Sequence, residues 1–124
     1  MSIVGTKVIR KEDPNLLTGR GQYVDDIQLT GMTHMAFVRS TEAHALIKGI
    51  DVSAALECEG VIGAWTAADL ELPPLPEVPG LERPTLATDK VRFVGEAVAV
   101  IVAESKYAAA DGTELVVVDY EPLE

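Results

Sequence analysis

The chain has 124 residues, 48% of them apolar, which suits one folded domain with a single core and excludes intrinsic disorder. Ten Lys and Arg against twenty Asp and Glu give a net charge of −10, which opposes binding to nucleic acid and to anionic membrane surfaces. No apolar run approaches the roughly 20 residues that span a bilayer, and the first ten residues lack the pattern of a signal peptide. We therefore expect a soluble, cytoplasmic protein.

Residues 1–31 are predicted to form an extended N-terminal arm. Their apolar residues follow no helical period, and turn-forming residues interrupt the segment at Asp13, Pro14, Gly19, Gly21 and Gly31. Because its apolar side chains have few local partners, this arm is a candidate for contacts with other polypeptide.

Residues 32–40 are predicted to form the first strand. Met35 and Phe37 point one way while Ala36 and Val38 point the other, so both faces are apolar. This pattern predicts a strand that is buried on both sides.

Residues 46–52 alternate less cleanly and predict a short second strand. A brief helical turn at residues 53–56 follows, with Ser53 or Asp51 available to cap its free N–H groups and Gly60 to end it.

Residues 61–66 predict a third strand, and residues 67–70 a further helical turn. Five of the seven prolines then fall within residues 72–84. Because proline fixes φ and lacks an N–H, this segment is predicted to be an irregular surface connection. It lies inside one domain, residues 1–124, rather than between two.

Residues 94–103 give the strongest strand pattern. Bulky valines at 94, 98, 100 and 102 share one face, while small residues dominate the other, broken by Ile101. This favours a central strand with something packed closely on its small side.

A helix capped by Ser105 is predicted to run to about Leu115, and residues 116–120 to return as a strand. Gly112 costs about 1 kcal/mol relative to Ala within a helix, so close contact with a sheet is its expected reason. The order of elements predicts an α+β domain with a mixed β-sheet and short helices.

Two motifs near the start of the chain are weak candidates for a binding or catalytic site. Gly19 and Gly21 could open a phosphate-binding loop, but a dinucleotide fingerprint needs a third glycine where Val24 stands. Asp25 and Asp26 are adjacent, so on an extended chain they point to opposite sides and cannot act as a catalytic pair. Turns are the favoured interpretation of both motifs.

The only cysteine, Cys58, excludes an internal disulfide, a cysteine-based zinc site and an iron–sulfur cluster ligated within this chain. Its neighbours Glu57 and Glu59 oppose the thiolate that a nucleophile needs. We therefore predict that Cys58 is not catalytic.

The remaining candidates also favour structural roles. Glu96 follows Gly95 between apolar strands and is the acid of greatest interest, with hydrogen bonding to loop backbone favoured over general-base work. His34 and His44 lack a third ligand at metal-site spacing. Ser40 and Ser53 lack the Gly-x-Ser-x-Gly elbow of hydrolases.

Several blocks along the chain resemble a known family. Arg-Lys-Glu-Asp-Pro stands at residues 10–14 and Leu-Thr-Gly-Arg-Gly-Gln-Tyr-Val-Asp-Asp at residues 17–26. Further blocks lie at residues 36–40, 43–45, 50–51, 91–96 and 118–123. Together, and in this order, they closely resemble the opening of the large subunit of bacterial molybdenum hydroxylases, which include xanthine dehydrogenase, aldehyde oxidase and carbon monoxide dehydrogenase. The opening block is most similar to the carbon monoxide dehydrogenase type.

The resemblance implies the α/β hammerhead domain of that subunit. Members of the family hydroxylate carbon centres at a molybdenum–pterin centre, and electrons pass through two [2Fe–2S] clusters to FAD, often on separate subunits. The family's cofactor-contacting loops and catalytic Glu lie beyond this domain. The resemblance therefore implies downstream molybdopterin-binding domains as partners, and no catalytic, cofactor-binding or metal-ligating residue within this chain.

The chain also departs from the family pattern. The family commonly has Ser-Pro-His-Ala-His where Ser-Thr-Glu-Ala-His stands at residues 40–44, and Gly-Glu-Pro where Gly-Glu-Ala stands at residues 95–97. It often has Ala where Gly112 stands. None of these changes alters the expected fold.

Two functions remain open from the sequence. The favoured one is a non-catalytic structural and subunit-contact domain of a molybdenum-dependent oxidoreductase. The alternative is a free-standing binding or assembly module that keeps the fold without the chemistry.

Overall fold

A computed structural model describes residues 4–5, 7, 9–70 and 84–124 of the chain. The predicted proline-rich connection, residues 72–84, lies outside these described residues except for Pro84. The chain divides into two compact units, Met1–Met32 and Thr33–Glu124. None of the helices in the described ranges combines the length and the hydropathy that a bilayer crossing requires.

The first unit contains two short helices where the sequence predicted an extended arm. Helix α1 is Asp13–Leu17, and a 3₁₀ helix follows at Val24–Asp26. Pro14 suits the first turn of α1 because its φ is already helical and no helical carbonyl needs its missing N–H. The Thr18 hydroxyl donates to the Pro14 carbonyl at 2.7 Å. The sequence did not indicate α1, because five residues are too few to show a helical period.

The second unit confirms the α+β fold class. Its described elements, in chain order, are β1 (His34–Arg39), β2 (Ala45–Asp51), α2 (Ser53–Leu56), β3 (Val61–Thr66), β4 (Lys90–Val91), β5 (Ala97–Ala103), α3 (Lys106–Glu114) and β6 (Val117–Pro122). The two-residue strand β4 was not predicted, since so short a segment carries no alternation.

The strands form two three-stranded sheets, where the sequence predicted one mixed sheet. The first has the order β1-β5-β3 and the second β4-β2-β6, and every described pair is antiparallel. Strand β5 is central, as its alternation predicted. It begins at Ala97 rather than at residue 94, because Gly95 has a φ of +92° and turns the chain.

A bulge explains the irregular alternation of β2. The register with β6 shifts between Ile47 and Gly49. Ile47 lies opposite Tyr120 and Ile50 lies opposite Val118, and these four side chains pack partly buried against the core. Two isoleucines three positions apart therefore serve the same core, which strict alternation would not allow.

Helix α3 lies against the first sheet. The Ser105 hydroxyl accepts the Ala108 N–H at 3.1 Å and caps the helix, as predicted. A Cβ built on Gly112 would lie 3.0 Å from a methyl of Ile101 and 3.0 Å from a methyl of Val61. Glycine at this position therefore permits the close helix–sheet contact that the sequence indicated.

The core joins both sheets. Its buried members are Val38, Ala45, Ala55, Ala87, Val91, Val98, Ala99 and Ile101. The predicted burial of β1 on both faces is wrong within this chain: Val38 is buried, whereas Met35 and Phe37 on the opposite face are exposed. Among the described residues, no element covers Met35 and Phe37 enough to bury them, so this face of β1 stays partly open.

Replacing Gly112 with Leu is expected to destabilise the fold by about 1–3 kcal/mol, because the added side chain overlaps Ile101 and Val61 in a packed interior. Ala110→Leu, at an exposed position of the same helix, is the matched control and should change stability by less than about 0.5 kcal/mol. Chemical denaturation measures both. Equal midpoints for the two variants would contradict the close packing.

Hydrogen bonds to two exposed carboxylates set their acid titration. The Ser53 hydroxyl and N–H donate to Asp51 at 2.5 and 2.9 Å, and those of Thr66 donate to Asp69 at 2.7 and 2.8 Å. The bond from the hydroxyl is the larger cause, and together the bonds hold the pKa of each carboxyl below its usual 3.8. A depressed pKa stabilises the folded state above the unfolded pKa, and this contribution is lost as pH falls below 3.8 through the folded value.

Ser53→Ala is expected to raise the pKa of Asp51 toward 3.8, because the stronger of its two hydrogen bonds is lost. NMR titration of the carboxyl carbons measures this directly. The pKa of Asp69 should stay below 3.8 in the same variant and serves as the internal control. An Asp51 that titrates at the same pH in both proteins would argue against this assignment.

Candidate functional site

A turn at residues 92–96 is organised by Glu96, the acid that the sequence singled out. Glu96 is only 5% exposed. One carboxylate oxygen accepts the Arg92 backbone N–H at 2.6 Å, and the other accepts a guanidinium N–H of Arg92 at 3.2 Å. The Glu96 backbone N–H donates to the Phe93 carbonyl at 3.2 Å. The carboxylate thus binds the backbone of its own turn, in the structural role that the sequence favoured.

Ser40 joins the end of β1 to this turn. Its N–H donates to the Glu96 carbonyl at 2.9 Å, and its carbonyl accepts the Gly95 N–H at 2.8 Å. The buried Ser40 hydroxyl donates to the Glu42 carbonyl at 2.9 Å and accepts the Glu42 N–H at 3.0 Å. These bonds, together with those between Glu96 and Arg92, are called the Ser40–Glu96 junction below.

Arg39 connects the turn to the first sheet. One guanidinium N–H donates to the Gly95 carbonyl at 2.9 Å. The guanidinium carbon lies 5.8 Å from the centre of the Phe37 ring, within the range of a cation–π interaction. Arg39 therefore lies between the Phe37 ring on the sheet and the turn at residue 95.

The face of the first sheet that points away from α3 is apolar and partly open. Phe37 and Trp65 lie opposite Val100 in register, one on each side, so their side chains point the same way and leave Val100 only 7% exposed. The Trp65 ring occupies the space over Gly63, where an added Cβ would lie within 3 Å of the ring. Met35, next along β1 on this face, is 61% exposed.

The turn adds two further apolar side chains. Phe93 is 51% exposed and Val94 is 63% exposed, and Arg39 links their turn to the sheet. The term apolar surface below means Met35, Phe37, Trp65, Phe93 and Val94. The sequence analysis did not identify this surface, although the apolar character of both faces of β1 was its signal.

The structure places the other predicted candidates in separate positions. His34 opens β1 and His44 lies just before β2. Among the described residues, no group of three His, Cys, Asp or Glu side chains is placed to hold a metal ion. The thiol of Cys58, which is half-buried, lies 4.0 Å from the Glu59 carbonyl oxygen.

The two motifs of the first unit form turns, as predicted. Gly19 follows α1 with a φ of +69°, a conformation that glycine adopts at little cost. The Asp26 carboxylate accepts the Tyr23 N–H at 2.9 Å and closes the 3₁₀ helix, while Asp25 is exposed.

An open cleft lies beside β2, lined by residues 47–50, 66–68, 87 and 88. Lys48 is the one ionisable side chain in this lining, and it forms an exposed ion pair with Glu121. The cleft therefore offers neither convergent catalytic groups nor an enclosed volume.

Comparison with known proteins identifies relatives over nearly the whole chain. The sequence profile for "Aldehyde oxidase and xanthine dehydrogenase, a/b hammerhead domain" matches residues 18–124. The large subunit of nicotine 6-hydroxylase from Paenarthrobacter nicotinovorans is 47% identical, over 99% of this chain and 16% of that subunit. The large chain of carbon monoxide dehydrogenase from Afipia carboxidovorans is 48% identical, over 97% of this chain and 15% of that one.

The fold agrees with these sequence relatives. The crystal structure of a Cu,Mo-CO dehydrogenase matches with a TM-score of 0.84 and 48% identity, over 96% of this chain and 15% of that chain. The chain thus spans 16% and 15% of the length of the nicotine 6-hydroxylase and carbon monoxide dehydrogenase subunits that it matches.

Glu96→Ala is expected to destabilise the protein by about 3–5 kcal/mol, because it leaves the Arg92 N–H and part of its guanidinium without their buried acceptor. Glu121→Ala, which breaks the exposed pair with Lys48, is the control and should cost at most about 1 kcal/mol. Urea denaturation at neutral pH separates the two. If Glu96→Ala cost no more than Glu121→Ala, the junction would not be a stabilising element.

Proposed function

The chain belongs to the a/b hammerhead domain family of aldehyde oxidases and xanthine dehydrogenases, and from this we propose that it is a non-catalytic structural and subunit-contact domain. The parent protein is then the large subunit of a molybdenum-dependent oxidoreductase. The chain contributes a rigid fold and contact surfaces to that subunit, while other parts of the polypeptide supply the chemistry.

One observation carries this proposal most directly. Two relatives are 47% and 48% identical to nearly all of this chain, yet it spans only 16% and 15% of their length. A segment of this size can hold one domain, so most of the polypeptide in such a subunit lies elsewhere.

The geometry of the polar groups supports a non-catalytic role. Glu96, the acid in the most buried position, has both carboxylate oxygens bound to Arg92. The Ser40 hydroxyl both donates to and accepts from Glu42. Both side chains are buried and bind groups of their own turns, whereas a general base or nucleophile must reach a substrate atom.

The cofactors of the parent enzyme are proposed from the resemblance. They are a molybdopterin-type molybdenum centre in the rest of the large subunit, and FAD and [2Fe–2S] clusters on partner subunits or domains. The cleft beside β2 does not fit the molybdenum group, because the one ionisable side chain in its lining is Lys48, which is already paired with Glu121. No reaction step is assigned to this chain.

The substrate is set outside this chain. A nicotine hydroxylase and a carbon monoxide dehydrogenase resemble it almost equally, at 47% and 48% identity, although their names specify very different molecules. A domain that determined the substrate would separate these two relatives.

The assembled protein is proposed to be cytoplasmic.

The first unit is proposed to contact partner subunits. The apolar side chains of this unit include Leu17, Val24 and Leu29, all of them exposed. Its charges balance, with four Lys and Arg against four Asp and Glu in residues 1–32. Exposed apolar side chains on a segment without net charge suit burial in an interface.

Expression of the whole reading frame that contains this chain tests the proposal. We expect the purified large subunit to contain molybdenum near one atom per polypeptide and, with its partner subunits, to reduce an artificial electron acceptor dye. A Glu96→Gln variant should keep its activity once folded, because this side chain holds a turn and no reacting atom. A reading frame that ends after Glu124, or a product free of molybdenum, would favour the free-standing binding module instead.

A further inference from the structure

The apolar surface differs in composition from the unit that carries it. Residues 33–124 contain six Lys and Arg against sixteen Asp and Glu, so the entire net charge of −10 lies there. The five residues that define the apolar surface are uncharged, and the charged group linked to them is the Arg39 guanidinium, which is a cation.

The residue types are those of an interface core. Both phenylalanines of the chain, Phe37 and Phe93, and its only tryptophan, Trp65, lie on this surface together with Met35. Aromatic residues, Met and Arg are enriched in the buried centres of protein interfaces, while Asp and Glu are depleted there.

The surface is also held in a fixed shape. The sheet positions Phe37 and Trp65 through their register with Val100. The Ser40–Glu96 junction fixes the turn that presents Phe93 and Val94. An interface whose anchors are already positioned loses less conformational entropy when it forms.

We infer that the rest of the large-subunit polypeptide, the part proposed to carry the molybdenum cofactor, packs on the apolar surface. This inference rests on the proposed function, because it requires such polypeptide to exist. In the nicotine 6-hydroxylase and carbon monoxide dehydrogenase subunits, about 85% of the length lies outside the region that this chain covers, which is ample to bury the surface within one subunit. Burial of its outer face also accounts for a β1 sequence that is apolar on both sides.

Residue-level oxidation of the full-length large subunit by hydroxyl radicals tests this inference. We expect Met35, Phe37 and Trp65 to react at least about tenfold more slowly in the native protein than in the urea-unfolded protein, because an interface core excludes water. Tyr107 is 73% exposed on α3, on the other side of the first sheet, and provides the reference for an uncovered aromatic ring. The inference would be overturned if Met35 and Phe93 were oxidised in the native full-length protein at the rates expected from their exposure in this chain.

Two further outcomes would also overturn it. Protection that appears only as the protein concentration rises would identify a second copy as the occupant, and protection that requires added partner subunits would identify those instead. The failure of the proposed function is separate, since it would appear as a reading frame without downstream sequence or a product without molybdenum.

A pair of variants keeps the test independent of footprinting. Val94→Asp in the full-length protein places a charge in the proposed interface, and should lower the midpoint of thermal unfolding by about 5 °C or more. Tyr107→Asp is the matched control at an exposed site and should leave the midpoint within about 2 °C. Equal midpoints for the two variants would count against the inference.

Discussion

The second unit depends on the hydrogen bonds of the buried residue Glu96. The Glu96 side chain fixes the turn at residues 92–96, and the Glu96 backbone carbonyl binds the end of β1 at Ser40. The same turn leads directly into β5, the central strand of the first sheet. A charged group this well buried is tolerated because each of its oxygens has a donor.

Much of the second unit could be predicted from residue patterns, because its elements are consistent locally and globally. Strand β3 spans the predicted residues, Ser105 caps α3, and Gly112 marks the helix–sheet contact. The failures have physical causes. Helix α1 and strand β4 are too short to show a period, and Gly95 interrupts what looked like a longer strand. In each case a turn or a pairing partner decided the structure, and neither is visible in a local window.

The apolar surface and the turn beside it could be predicted only in part. The sequence showed that β1 is apolar on both faces, and it favoured the hydrogen bond from Glu96 to loop backbone that the structure contains. It could not show that Arg39 links the Phe37 ring to the turn at Gly95, because Arg39 and Gly95 are 56 positions apart in the sequence. The sequence also suggested burial of β1 on both sides, whereas within this chain Met35 and Phe37 are exposed. An apolar pattern predicts that a face is buried, but it does not identify the polypeptide that covers that face.

The division of the strands between two small sheets affects how readily copies of this segment associate. Each described sheet has three strands, so β1, β3, β4 and β6 are outer strands, and along one side of each no other strand in the described part of the chain pairs with its backbone. Such open margins invite strand addition between copies whenever the segment exists without its neighbours, as during synthesis on the ribosome. The sixteen Asp and Glu in residues 33–124 counter this, because like-charged chains repel one another before their edges can meet. The acidity thereby serves as protection against premature association.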